Sequence, residues 1–295
     1  MRVLAAALAA LLALPASAQS NAEVPDDRRP PLFVLADDDS RVYLLGSVHV
    51  LPEGALPLPA HVEAAYAEAS VLAFELDLDA AQAGAVGMMA AASDEATLPD
   101  ALSPAQRDSV NAALGALGLP AGAFDAFEPW FVGMTYGVLA LQQSGLPVEA
   151  GGVDAHFFGR AEADGKERLA FETVELQTAA FDDLSEAAQV SFLMQSVALP
   201  PDSSAALFAD MVDLWATGQD DALGAFLSDE MAQPEVFDAL LVRRNRAWIP
   251  QIESLLARDE SAMVVVGAGH LVGRASVVEM LRAAGYTVER VGPEG

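Results

Sequence analysis

The sequence predicts an α/β protein in which a central mixed β-sheet is built from both chain ends and a large helical segment is inserted between them. Three observations predict this. Apolar, β-rich runs stand near the start, at Leu32–Ser47 and Val71–Leu78. Two more, "SAMVVVGAGH" and "YTVERVG", stand near the end. Between Ala80 and about Arg258 the apolar residues recur at helical spacing, divided by Gly, Pro and Asp.

Each element follows from local chemistry. "LFVLADDDSRVYLLGSV" reads as two strands joined by a polar Asp-Asp-Asp-Ser turn. "LPAHVEAAYAEAS" has helical spacing, and "VLAFELDL" returns to strand. "SPAQRDSVNAALGALG", "DAHFFGRAEADG", "ETVELQTAAFDDL" and "EVFDALLVRRNRAWIPQIESLLAR" are helices of the insertion. "WFVGMTYGVLALQQ" (Trp130–Gln143) falls short of the roughly twenty apolar residues of a spanning helix and reads as a buried one. After the strand "SAMVVVGAGH", "LVGRASVVEMLRAAG" is a helix closed by Gly285.

The chain has 295 residues, 53% of them hydrophobic, enough for one sizeable core, and residues 32–295 are expected to form a single domain. It has no cysteine, so disulfides and a Cys-linked lipid anchor are excluded, and stability rests on packing and any metal. With 43 acidic against 15 basic side chains the net charge is −28, a field that repels polyphosphates and argues against nucleic acid and anionic lipid as partners. Residues 1–18 combine Arg2, an apolar run and Ala16-Ser17-Ala18, the pattern of a cleaved export signal. Residues 19–31 then read as a linker. The expected mature protein is periplasmic, with no stable membrane anchor.

One arrangement occurs twice. "YLLGSVHVLP" and "VVVGAGHLVG" each end an apolar strand on Gly-x-x-His. Gly46 and Gly267 are expected to turn the backbone sharply as it leaves the sheet, so that His49 and His270 project from strand C-terminal ends, where open α/β sheets hold their ligands. Glu75, near the end of its own strand, has apolar flanks that make an unpaired carboxylate costly. Two imidazoles and a carboxylate suit a divalent metal with positions left open for water. The other reading of each Gly-x-x-His is a strand-to-helix turn with a hydrogen-bonded histidine; the chain places two of its four histidines in this pattern.

On Gly46-Ser-Val-His49, Glu75 and Gly267-Ala-Gly-His270, the sequence resembles the TraB/GumN family, related to the Tiki proteases and more distantly to the erythromycin-esterase and ChaN-like proteins. Further similar pieces are Gly151–Lys166, Phe171–Gln177 and Arg243–Leu256. The resemblance implies an erythromycin-esterase/ChaN-like fold and a metal-dependent hydrolase, a peptidase acting on a peptide or protein with Mn, Co or Zn. It makes His49, Glu75 and His270 the metal and catalytic core, with Arg244 and Asn245 as supporting residues.

Read on their own, Leu241, Asn245, Trp248, Ile252 and Leu255 share a helix face with Arg244 at its border. Asn245 and Arg244 then either reach the crevice to hold a carbonyl or oxyanion, or tie to backbone and neighbouring acids. Asp154 reads as the N-cap of its helix, after Gly151 and Gly152. His156 and His61 read as packed or solvated, and Glu172 and Glu175 as acids at the start of a helix capped near Thr173. Glu75 is either a ligand or the general base, and Asp77 is expected on the same strand face to assist. No HExxH or G-x-S-x-G is present. The rival class is a non-catalytic metal-, haem- or saccharide-binding protein or scaffold of the cell envelope.

Overall fold

The computed structural model describes residues 27–82, 97–145, 148–231 and 233–293. The expected export signal, residues 1–18, lies outside them, as does the linker up to residue 26.

Strands β1 (Leu32–Ala36) and β2 (Arg41–Ser47) form the expected antiparallel hairpin, with Leu32 opposite Leu45. Its turn is closed by Asp37, whose Oδ1 accepts the Ser40 N–H at 2.9 Å. A short β3 (Val50–Pro52) follows, then helix α1 (Ala60–Glu68) and β4 (Val71–Phe74). Helices α2 (Leu98–Ala101), α3 (Pro104–Ala116) and α4 (Pro129–Gln143) precede β5 (Val148–Ala150), α5 (Gly152–Ala163) and β6 (Glu167–Ala170). Then come α6 (Val174–Asp182), α7 (Glu186–Val197), α8 (Pro201–Ala216), α9 (Asp220–Glu230) and α10 (Pro234–Phe237). A π-helical turn, Asp238–Val242, leads into α11 (Arg243–Leu256). The chain closes with β7 (Ala262–Gly267), a 3-10 turn (Ala268–His270), α12 (Val277–Ala283) and β8 (Val288–Arg290).

The main sheet has the order β6-β4-β7-β2-β1-β8. β6, β4, β7 and β2 are mutually parallel, while β1 runs antiparallel to both β2 and β8. Strands from both chain ends therefore share one mixed sheet, as the sequence predicts, with β7 between β4 and β2 and β8 beside β1. Strand periodicity sorts the core into two faces. Leu45, Leu72, Phe74, Met263 and Val265 pack with Trp130, Phe157, Phe192 and Trp215 of α4, α5, α7 and α8. Val42, Leu44, Ala73, Val264 and Val266 pack with Trp248 and Ile252 of α11 and Val277 and Leu281 of α12. The sheet is thus covered by helices on both sides, which suits the central parallel strands β4 and β7, apolar along their whole length.

The inserted segment is largely helical, as expected, and it also supplies two short strands: β6 joins the sheet edge beside β4, and β5 pairs with β3. Two expectations are corrected. The strand expected over Val71–Leu78 ends at Phe74, so strict alternation does not carry on to Asp77. The last helix begins at Val277 rather than Leu271, because the Ser276 hydroxyl caps it by accepting the Glu279 N–H.

Candidate functional site

The parallel strands β2, β4 and β7 end at one edge of the sheet, and the residues that follow them meet there. Neither motif glycine makes the sharp turn expected of it. Gly46 lies within β2, opposite Val266, and a Cβ there would stand 3.0 Å from Cβ of Pro31 and 3.1 Å from Cα of Ala268. Gly267 has an ordinary φ of −51°. A Cβ on it would lie 3.2 Å from Glu75 Oε1, 3.6 Å from His49 Nε2 and 3.7 Å from His270 Cδ2. Both glycines provide room for close approach, and Gly267 marks the point on which the two histidines and the glutamate converge.

His49 is held from α5. Its Nδ1–H donates to Asp154 Oδ2 at 2.7 Å, and Asp154 Oδ1 accepts the Ser47 hydroxyl at 2.7 Å. Asp154 is not the N-cap: Gly151 occupies that position and Asp154 lies within the first turn, buried. The two glycines before it let the helix abut the His49 loop. Gly151 and Gly152 have φ of +78° and +51°, and a Cβ on Gly152 would fall 2.0 Å from the Val48 carbonyl oxygen. That carbonyl accepts the Val153 N–H at 3.0 Å.

His270 and Glu75 are held from α11. His270 Nδ1–H donates to Asn245 Oδ1 at 2.6 Å, and Asn245 Nδ2 donates to the Ala275 carbonyl at 2.8 Å, which fixes the amide's orientation. The Arg244 Nη2 group donates to Glu75 Oε2 at 2.7 Å and to Glu172 Oε2 at 2.8 Å. Its Nη1 lies 3.2 Å from His270 Nε2. Glu75 Oε1 accepts the Gly267 N–H at 2.6 Å and lies 3.6 Å from His270 Nε2. Glu172 also accepts from Trp248 Nε1 at 2.9 Å, and the Trp248 ring packs on His270 with centroids 4.4 Å apart.

These contacts set opposite charge preferences on the two imidazoles. Burial opposes a charge on His49, but the bonded Asp154 carboxylate, helped by Glu75, outweighs it and raises the pKa to about 9. His270 has no bonded carboxylate; burial, with the Arg244 and His49 charges, outweighs Glu75 and pushes it down to about 3. Burial also opposes ionisation of Glu75, yet the Arg244 guanidinium and the Gly267 N–H hold its carboxyl well below the usual range. Burial likewise disfavours charge on Arg244, but its two carboxylate partners more than compensate and raise its pKa.

Of the residues singled out in the sequence, His49, Glu75, His270, Arg244 and Asn245 are brought together and buried. Asp77 is not among them: it is exposed, and its Oδ1 accepts the N–H groups of Asp79 and Ala80 at 2.9 and 3.0 Å. His61 lies on α1, and His156 packs on Phe157 with Arg160 Nη1 3.4 Å from its Nε2. Glu175 is an exposed acid in the first turn of α6. Asp154 and Glu172 are the two site residues that sequence reasoning assigned to helix ends.

The group lines a partly open cavity of about 60 Å³ to which His49, Glu75, Arg244 and His270 contribute the polar side chains. By residue type, two imidazoles and a carboxylate, it has the donors that divalent cations take. Both histidines have Nδ1 tied to a buried acceptor, the arrangement that orients metal-ligating imidazoles through Nε2, and a carboxylate stands beside them. A cation there would share Glu75 with Arg244 and would displace the Arg244 N–H from the single lone pair of His270 Nε2. Among the described residues no three His, Cys, Asp or Glu side chains form a ready metal cluster.

An α/β fold with a buried polar centre at the C-terminal edge of its parallel strands defines the class to which the chain compares. The TraB/PrgY/gumN family matches residues 31–290, and the chain belongs to that family. It is similar to the uncharacterized protein YbaP of Escherichia coli (strain K12), 22% identical over 253 residues, covering 86% of this chain and 92% of that protein. The YbaP protein of Shigella flexneri matches to the same extent. A shorter stretch of 71 residues, 22% of this chain and 14% of the relative, is 41% identical to a metalloprotease TIKI homolog of Amphimedon queenslandica. No solved structure matches the chain.

Proposed function

We propose that this protein is an exported, metal-dependent hydrolase of peptide bonds whose reacting centre is His49, Glu75 and His270. One observation carries the reading: the two Gly-x-x-His histidines, from opposite ends of the chain, each have Nδ1 bonded to a buried acceptor and stand with Glu75 around one point. The likeness of one stretch to a metalloprotease TIKI homolog supports a metal and a peptide substrate.

His49 Nε2, His270 Nε2 and Glu75 would hold the ion, whether Mn, Co or Zn. When bound, such an ion polarises a carbonyl and lowers the pKa of a water. Asp154 and Asn245 accept from Nδ1, which leaves Nε2 of each ring facing the centre. His270 is neutral there, whereas His49, with its pKa raised to about 9, would give up its Nε2 proton to the ion. A general base works best with a pKa near the working pH, so the strongly acidic carboxyl of Glu75 suits a ligand better than a base. Arg244, fixed by Glu172, has its N–H groups on Glu172, Glu75, the Leu240 carbonyl and His270 Nε2. With an ion on His270 Nε2, the Nη1–H now facing that nitrogen would be free to stabilise a carbonyl oxygen as it gains charge. A cavity of about 60 Å³ speaks against a haem or a whole sugar ring as the occupant, since a cavity that seats a benzene ring measures about 150 Å³.

The reading is tested by incubating the purified protein with a peptide library. Cleavage lost to a chelator and restored by Mn²⁺, Co²⁺ or Zn²⁺ is expected. Stoichiometric metal without cleavage would point instead to a binding protein, and neither metal nor cleavage to a scaffold. The export signal predicts a mature periplasmic protein beginning at Gln19. N-terminal sequencing of the periplasmic fraction that returned an intact Met1 would contradict it.

A further inference from the structure

Opposite the polar floor of the cavity stands a wall of carbon. Met211 of α8, Leu223 and Leu227 of α9, and Leu240 and Leu241 of the π-helical turn line it, all buried. The wall is well anchored. Gly224 of α9 lies directly on the backbone of Gly273, where a Cβ would come within 2.6 Å of Cα and N. Trp215 of α8 donates its indole N–H to the Gly46 carbonyl at 2.8 Å, tying the other wall helix to β2. The wall and the floor are therefore held against each other by the loops that carry the two histidines.

We infer that the group this site accepts beside the bond under attack is a small aliphatic side chain, of alanine to valine size, with aromatic and charged side chains excluded. The inference rests on the hydrolase reading and adds its substrate class. A substrate that meets the floor with its reacting carbonyl finds Met211, Leu223, Leu227, Leu240 and Leu241 as the large apolar side chains available to its neighbouring substituent. A charged or amide substituent would be stripped of water there and find no partner on the wall. Size sets the other limit: the cavity measures about 60 Å³, well below the about 150 Å³ that seats a benzene ring. A phenyl substituent has no room unless the wall is cut back.

The test is a positional peptide series, identical except for Gly, Ala, Val, Leu, Phe, Lys or Asp on either side of the scissile bond, assayed with the full metal-supplemented protein. Ala and Val are expected to exceed Phe, Lys and Asp by about tenfold or more in kcat/KM at one of the two positions, the scale that a pocket of fixed size imposes. Leu241→Ala, which cuts back the wall, should raise the Phe to Val ratio by about tenfold. The milder Leu227→Val should raise the Leu to Val ratio and serves if the first variant does not fold. Cleavage with equal rates across the series, or a preference for Phe, Lys or Asp at both positions, overturns the inference while leaving the hydrolase reading intact. No cleavage of any member by the wild type overturns both.

Discussion

Asp154 sits behind His49 as Asn245 sits behind His270, and the two acceptors differ by one charge. The Asp154 carboxylate takes the His49 Nδ1–H and the Ser47 hydroxyl, each at 2.7 Å. Asp154→Asn keeps the shape and an acceptor oxygen but removes the charge. Activity or metal affinity is expected to fall about 10- to 100-fold with the circular dichroism spectrum unchanged. Full activity and affinity in that variant would contradict a role for the pair. In the sequence, Asp154 follows two glycines at the start of a helix, and local preference treats an aspartate at the N-cap and one in the first turn alike. Only the docking of α5 onto Val48 distinguishes them. Glu172 was hidden for the same reason: it precedes the cap Thr173 and looks like a helix-start acid, although it clamps Arg244 and Trp248. His49, Glu75 and His270 were legible because each follows an apolar strand, and ends of parallel strands share an edge. Asn245 was legible because helical spacing places it with Trp248 and Ile252, all three fully buried.

At the scale of elements, the placement of α5 decides whether His49 is held. Gly152 combines a positive φ with a backbone approach that leaves no space for a methyl group. Gly152→Ala is expected to destabilise the protein by about 3 kcal/mol or more, measured by urea unfolding. An unchanged midpoint would contradict the docking geometry. The elements that sequence reasoning missed are those with the weakest local signal. β6 reads Glu-Arg-Leu-Ala, a short edge strand with little apolar alternation, and β3 and β5 are three residues each. The π-helical turn at Asp238–Val242 has no composition of its own; it places Leu240 and Leu241 at the cavity and Arg244 one turn further on. The long apolar strands and the capped helices were legible because period and caps agreed, as in α3, where Ser103 and Gln106 form a reciprocal capping box.

At the scale of the whole molecule, the two histidines lie 221 positions apart in the numbering, and only the parallel pairing of β2 with β7 makes them neighbours. The net charge of −28 surrounds a centre whose guanidinium, from Arg244, is shared between Glu75 and Glu172. The acidic balance was plain in the composition, but the use of one buried arginine to hold two carboxylates depends on the folded sheet edge. The central claim is that His49 and His270 act as one site although they come from opposite chain ends. It is tested most directly by assaying metal-dependent peptide cleavage of His49→Ala, His270→Ala, His61→Ala and His156→Ala beside the wild type, with metal content and thermal unfolding measured on each. The first two are expected to lose about a hundredfold or more of the rate while staying folded, and the last two to remain within about twofold. Full activity in either His49→Ala or His270→Ala, or equal losses in all four, would contradict it.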